Sequence, residues 1–252
     1  AYQALRYDGE PIPPVLALEV ARKGDIDACR TLYCGTFSKT LSPGLRVGWV
    51  CGARDVIAQV DLIKQAGDLQ SATLNQIAVA EVASDGFDAH IATLHRAYAA
   101  RRDAMLAALS AHMPGGVSWT RPEGGMFIWV TLPEGMDGAA LLEASLASAK
   151  VAFVPGGAFF PDGSGKNTLR LSFSNSAPEK IAEGIARLGA LIAKPAGVCI
   201  HELTDNIHVA DSKVPKATIK VAAKCKLFDT RPMPKSMTPR NPASRKKAVS
   251  TS

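Results

Sequence analysis

The chain has 252 residues, 47% of them hydrophobic, and a formal net charge of +6, which is enough apolar material for a sizeable core in two domains. The charge is uneven: residues 194–252 hold 12 Lys/Arg against 4 Asp/Glu, leaving 17 against 19 in residues 1–193, so the part expected to fold lacks the basic balance of a nucleic-acid binder. The five cysteines never stand in C-x-x-C spacing, and neither a run of eighteen apolar residues nor a charged-then-apolar leader is present. These features argue against a disulfide framework, a zinc site, a membrane span and a signal peptide, and make a reducing cytoplasm the expected compartment.

Ala1 to Leu5 opens abruptly, turns at Asp8-Gly9 and passes Pro11, Pro13 and Pro14, as the middle of a longer protein would. Leu32 to Gly35 and Val47 to Val50 are short apolar segments bounded by Gly and Pro, predicted as strands, which makes Thr36 to Arg46 the loop between them. That loop sets Lys39 among the hydroxyls of Thr36 and Ser38 and the planar donors of Arg46, with Pro43-Gly44 predicted to turn Arg46 back toward the lysine. Two phosphate-binding patterns fail here. A P-loop needs Gly where Ser38 and Tyr33 stand, and Gly44 and Gly48 do not make a G-x-G-x-x-G. A lysine beside an anion cradle points to a phosphorylated cofactor; the plain alternative is a surface lysine in a strand connection.

Val56, Ile57, Val60 and Ile63 form a stripe that predicts a helix over Arg54 to Gln65 covering one face of the sheet, and a second helix is expected over Ser71 to Ala83. After Asp85-Gly86, the spacing of Phe87, Ile91, Leu94, Tyr98, Met105 and Leu109 predicts one long helix of roughly 40 Å. His90 and His95 lie five apart on it and so diverge; they are expected to pack rather than to bind metal.

Beyond Pro114 the pattern becomes α+β: strands over Val117 to Trp119, Met126 to Leu132 and Val151 to Val154, and a helix over Gly138 to Ala149. From Thr168 to Ser174, alternation puts Leu169, Leu171 and Phe173 on one face and Arg170, Ser172 and Ser174 on the other, so Arg170 points away from the core. Ser176 and Glu179 fit a capping box for a closing helix striped by Ile181, Ile185, Leu188 and Ile192. In the tail, residues 219–227 alternate as one basic strand, and the prolines from Pro232 onward mark an expected disordered or appended end, with a nucleic-acid arm as the weaker reading.

The segment GTFSKTLSPGLRVGW resembles the cofactor-lysine segment of fold-type I pyridoxal 5'-phosphate (PLP) aminotransferases of class I/II, nearest the 2-aminoadipate branch. The resemblance covers about three quarters of the chain and only the downstream part of a complete member. It implies an α/β fold: part of a three-layer large domain in residues 1–85, an α+β small domain with its connecting helix in 86–193, and the basic tail outside the family. It further implies that Lys39 forms the internal aldimine and that Thr36, Ser38 and Arg46 hold the phosphate. Tyr2 would bond the cofactor's phenolic oxygen, and Arg170, in LRLSFSN, would pair with the substrate α-carboxylate. The RPEGGMFIW run, residues 121–129, resembles the hairpin near bound substrate. Thr36 replaces a Ser found in many relatives, which keeps a hydroxyl in place. The implied reaction moves an amino group between an amino acid and a 2-oxo acid in a homodimer. Because the family takes the pyridine-nitrogen aspartate from upstream, this chain alone is expected to be inactive. Two alternatives stay open: an aminotransferase-like domain of a winged-helix transcription regulator, and an inactive remnant.

Overall fold

The computed structural model describes residues 1–194; the basic strand and the proline-rich end expected in the tail lie outside the described residues. Helix α1 (Val15–Lys23) was not foreseen in the sequence. It begins directly after Pro14, holds neither Gly nor Pro, and ends where Gly24, at φ +75°, bonds back to the Val20 carbonyl. Strands β1 (Tyr33–Thr36) and β2 (Gly48–Cys51) pair antiparallel, with Thr36 opposite Gly48 and Gly35 opposite Trp49. Both lie within one residue of their expected positions. A β-carbon on Gly35 would meet the Trp49 ring at 2.1 Å, so the indole needs glycine beneath it.

Helices α2 (Arg54–Gly67) and α3 (Thr73–Ser84) form where expected, but the stripe on α2 does not cover a sheet face. No residue of α2 is buried, and Val56, Leu62 and Ile63 are exposed. The reason is geometric: the described sheet in this part has two short strands, too little surface for a helix to cover. Leu69, Leu74, Ile77 and Val82 are exposed as well.

Helix α4 (Phe87–His112) runs 26 residues, about 39 Å at 1.5 Å per residue, and starts from Gly86 at φ +83°. Its C-terminal half enters the main core. There Met105 and Leu109 pack with helix α6 (Pro178–Ile192) and an antiparallel sheet ordered β3-β4-β6-β5. The strands are β3 (Ser118–Trp119), β4 (Phe127–Thr131), β5 (Val154–Pro155) and β6 (Thr168–Ser172). Ile128, Val130, Leu169 and Leu171 face inward, as alternation required. Gly189 of α6 lets the two helices touch, because a β-carbon there would lie 2.2 Å from the His112 carbonyl.

Three local expectations are corrected. The helix over 138–149 is an α-helix, α5 (Gly138–Ala144), capped by Asp137 and followed by a π-helical turn over Ser145–Ala149. The strand expected at Val151–Val154 begins only at Val154, since Val151 completes the helix end by bonding its amide to the Ser145 carbonyl and Phe153 turns into the core. Ser176 does not cap α6: the N-cap is Ala177, extended because Pro178 follows it at the first helical position, and no side chain bonds the helix start.

Candidate active site

The Thr36–Arg46 loop is built from its own hydrogen bonds. The Phe37 amide donates to the Val47 carbonyl at 3.1 Å, continuing the β1–β2 ladder, and the Thr40 and Leu41 amides both return to the Phe37 carbonyl. Lys39 therefore sits on a tight helical turn, half-buried, above a buried Thr40. Thr36 Oγ1 accepts from the Ser38 amide at 3.1 Å and lies 3.0 Å from Ser38 Oγ, which gathers two hydroxyls and an amide at one spot. Arg46 adopts the left-handed conformation at φ +53°, and its guanidinium donates to the Pro43 carbonyl at 3.0 Å.

A cavity of about 1230 Å³ opens between this loop, the first segment of the chain and the β3–β4 connection. Tyr2 and Thr36 line it together with Phe37, Thr40, Trp49 and Phe127; Lys39, Ser38, Arg46 and Arg170 are not among its lining residues. The cavity wall is tied across by an Arg6–Glu123 ion pair of 2.5 Å and a bridge between Arg6 and Gly124.

Arg170 reaches this region through aromatic rings. Its guanidinium lies 4.1 Å from the centroid of Phe127 and 4.9 Å from that of Phe159, and the Phe127 ring meets Tyr2 edge-on at 6.2 Å. Arg170 Nε is buried and has no hydrogen-bond partner. The two rings lie within cation–π distance of the guanidinium, and its buried Nε–H is left without an acceptor. Sequence reasoning missed Phe127 and Phe159. Alternation over residues 126–132 held the signal for Phe127, which lies on the face opposite Ile128, beside the Trp129–Arg170 pair; Phe159 stands in a 3-10 turn with no such period.

Beneath the cavity, Arg102 pairs with Asp8 and Asp103, donates to the Pro122 carbonyl and lies 5.0 Å over the Tyr7 ring. Burial pushes the Tyr7 phenol up to about 12, against an opposing pull from Arg102. His95 bonds the Ala4 carbonyl at 2.6 Å and His90 the Thr40 carbonyl at 2.7 Å, so both histidines pack as expected. Among the described residues no cluster of His, Cys, Asp or Glu has the form of a metal site, and no helix is long and apolar enough to cross a membrane.

The family model "Aminotransferase class I and II" matches residues 1–188. The chain belongs to this family. It is 45% identical over 192 residues to aromatic-amino-acid aminotransferase 1 of Thermococcus litoralis, covering 76% of the chain and 44% of the relative. To the 2-aminoadipate transaminase of Thermus thermophilus it is 43% identical over 189 residues, covering 75% and 46%. The crystal structure of an alpha-aminoadipate aminotransferase from Thermus thermophilus, complexed with N-(5'-phosphopyridoxyl)-L-leucine, superposes with a TM-score of 0.71 at 40% identity, over 76% of this chain and 48% of that one. The fold is thus that of the fold-type I aminotransferases, whose cofactor is PLP. This class I/II chain spans about half the length of the curated relatives it matches.

Proposed function

We propose that the complete polypeptide transfers an amino group between an amino acid and a 2-oxo acid with PLP, and that this chain supplies one part of that site. The observation that carries the reading, beside family membership, is Arg170: a half-buried side chain whose guanidinium lies over the Phe127 and Phe159 rings and whose buried Nε has no hydrogen-bond partner. The residues fit the cofactor. The hydroxyls of Thr36 and Ser38 stand 3.0 Å apart beside Lys39, where they can turn to an oxyanion, and Arg46, eight positions after Ser38, adds a cation on the same loop.

In this reading Lys39 would hold the cofactor covalently, Thr36, Ser38 and Arg46 would bind its phosphate, and Tyr2 would donate a hydrogen bond to its phenolic oxygen. Bound PLP supplies the sink for the electron pair left when the substrate Cα loses its proton. Arg170 grips the substrate α-carboxylate with paired donors and fixes which bond at Cα stands over Lys39. Lys39 Nζ, in its neutral form, would serve as the base that takes the proton from the substrate Cα and as the acid that gives it back. The remaining half of the family's length is inferred to provide the carboxylate for the pyridine nitrogen, so this chain alone should be inactive.

We also infer a homodimer of the complete protein, a large-domain portion ending near residue 85 with α4 leading into the small domain, and a cytoplasmic setting. The free thiols of Cys29, Cys34 and Cys51 agree with that compartment. The test is borohydride reduction in the presence of PLP followed by peptide mapping: the pyridoxyl group is expected on Lys39, and a label confined to other lysines would overturn the assignment. Turnover of an amino-acid panel by the complete protein separates an enzyme from the regulator reading.

A further inference from the structure

Two backbone carbonyls in the Lys39 loop are held by side chains from helices, and the chemistry proposed above uses neither side chain. His90, in the first turn of α4, places Nε2 2.7 Å from the Thr40 carbonyl oxygen. A carbonyl only accepts, so Nε2 carries the hydrogen and donates it. Asn75, in the first turn of α3, donates from Nδ2 to the Leu45 carbonyl at 3.0 Å. Thr40 follows Lys39 directly and Leu45 precedes Arg46 directly. The peptide group joined to Arg46 and the one beyond Thr40, the neighbour of Lys39, are therefore fixed from outside the loop.

The His90 contact has a second support. Phe87, three residues earlier on α4, meets the Phe37 ring edge-on at 6.2 Å, and the Phe37 carbonyl is the acceptor that closes the turn bearing Lys39. The start of α4 thus grips that turn at both ends, with apolar contact at Phe37 and a hydrogen bond at Thr40. The Arg46 end is gripped by Asn75, on a residue pair whose second member is in the left-handed conformation.

We propose that His90 and Asn75 are positioning residues for the two loop cations, His90 orienting Lys39 toward the cofactor aldehyde and Asn75 holding Arg46 for its phosphate. The proposal rests on the roles given to Lys39 and Arg46 above. It separates two kinetic quantities: loss of the His90 donor slows covalent capture at Lys39, whereas loss of the Asn75 donor weakens reversible binding before capture.

The experiment incubates the 252-residue chain with increasing PLP, quenches with borohydride at set times and maps the label by peptide, with exposed Lys150 as internal reference. Hydrogen exchange of the Thr40 and Leu41 amides is read in parallel. In His90→Leu the maximal capture rate at Lys39 should fall about tenfold, since an ångström of misplacement costs up to ~10²-fold. Exchange should rise about fivefold, as loss of one hydrogen bond permits. His90→Gln, which keeps an N–H donor, should restore both. In Asn75→Leu the half-saturating PLP concentration should rise about tenfold with the maximal rate kept, the scale of one lost phosphate contact. Faster exchange in His90→Leu with unchanged capture would reduce His90 to a structural contact and overturn the proposal, as would no change in either. If the unsubstituted chain is not labelled at Lys39, the Lys39 assignment itself fails and the positioning role with it, whereas label at Lys39 that His90→Leu leaves untouched refutes only the positioning role.

Discussion

The guanidinium of Arg170 lies 4.1 Å from the centroid of the Phe127 ring, and these residues come from neighbouring strands, β6 and β4. In the proposed role of Arg170 its paired donors meet the substrate carboxylate. Arg170→Ala should raise KM for the amino acid by about 10²-fold in the complete enzyme, the scale of losing charged hydrogen bonds worth ~3 kcal/mol. Retention of PLP should be nearly unchanged. Arg170→Lys should recover little, because a point charge lacks the paired donors. Steady-state kinetics with a separate cofactor titration checks both; loss of cofactor at unchanged KM would reverse the roles.

Tyr7 makes alkaline stability depend on one phenol. Below pH 10 the ring is protonated in both folded and unfolded chains, and its contribution is full. Between pH 10 and about 12 the unfolded chain releases the proton while the folded chain keeps it, which favours unfolding. A displacement of that size corresponds to ~2.7 kcal/mol, and solvent around a half-buried ring reduces it to about 1 kcal/mol. Denaturant melts across this range should show the decline in the parent chain and a shallower one in Tyr7→Phe.

Glu19 acts at the opposite end of the pH scale. Its carboxylate is held down to about 2 by Lys23 and by the Thr31 and Arg30 amides, which fasten α1 to the start of β1. Above pH 4.5 the group is ionised in both states and the tie is intact. As pH falls toward 2 the unfolded chain takes up its proton first, and the stabilisation is lost. Acid unfolding of Glu19→Gln should be less dependent on pH between 4.5 and 2 than that of the parent, with lower stability at neutrality.

Gly124 lies where the cavity wall closes on the first segment of the chain. A β-carbon there would sit 2.5 Å from the Leu5 carbonyl and 2.7 Å from Arg6 Cα, both backbone atoms that cannot swing aside. Gly124→Ala should cost about 2 kcal/mol in thermal or denaturant unfolding. It should also loosen the Arg6–Glu123 closure, seen as faster exchange of the Gly125 amide, which bonds the Leu5 carbonyl at 2.8 Å.

What the sequence made legible follows from period. Thr168 to Ser174 announced which side of β6 Arg170 occupies because a strand alternates strictly, and the seam through Met105 and Leu109 placed α4 because an apolar stripe needs a partner. The loop holding Lys39 was found by its chemistry, Thr, Ser and Arg around one lysine. Helix α1 escaped although its apolar residues segregate to one face about as strongly as those of α2, and although Pro14 before it and Gly24 after it were punctuation enough. The α2 stripe misled because periodicity says which residues seek a surface, not whether a surface is present. The stacking of Phe159 on Arg170 joins a 3-10 turn to a strand, and no local pattern encodes such a meeting.

Arg46 occupies the left-handed region at φ +53°, a conformation that glycine adopts freely and that costs a residue with a side chain about 1 kcal/mol or more. A screen for heat resistance would therefore favour glycine at this position, since the backbone relaxes when the side chain goes. On the role proposed for Arg46, a screen for amino-group transfer would restore the arginine. The two selections pull on one codon in opposite directions, and the residue found there records which of them has governed this loop.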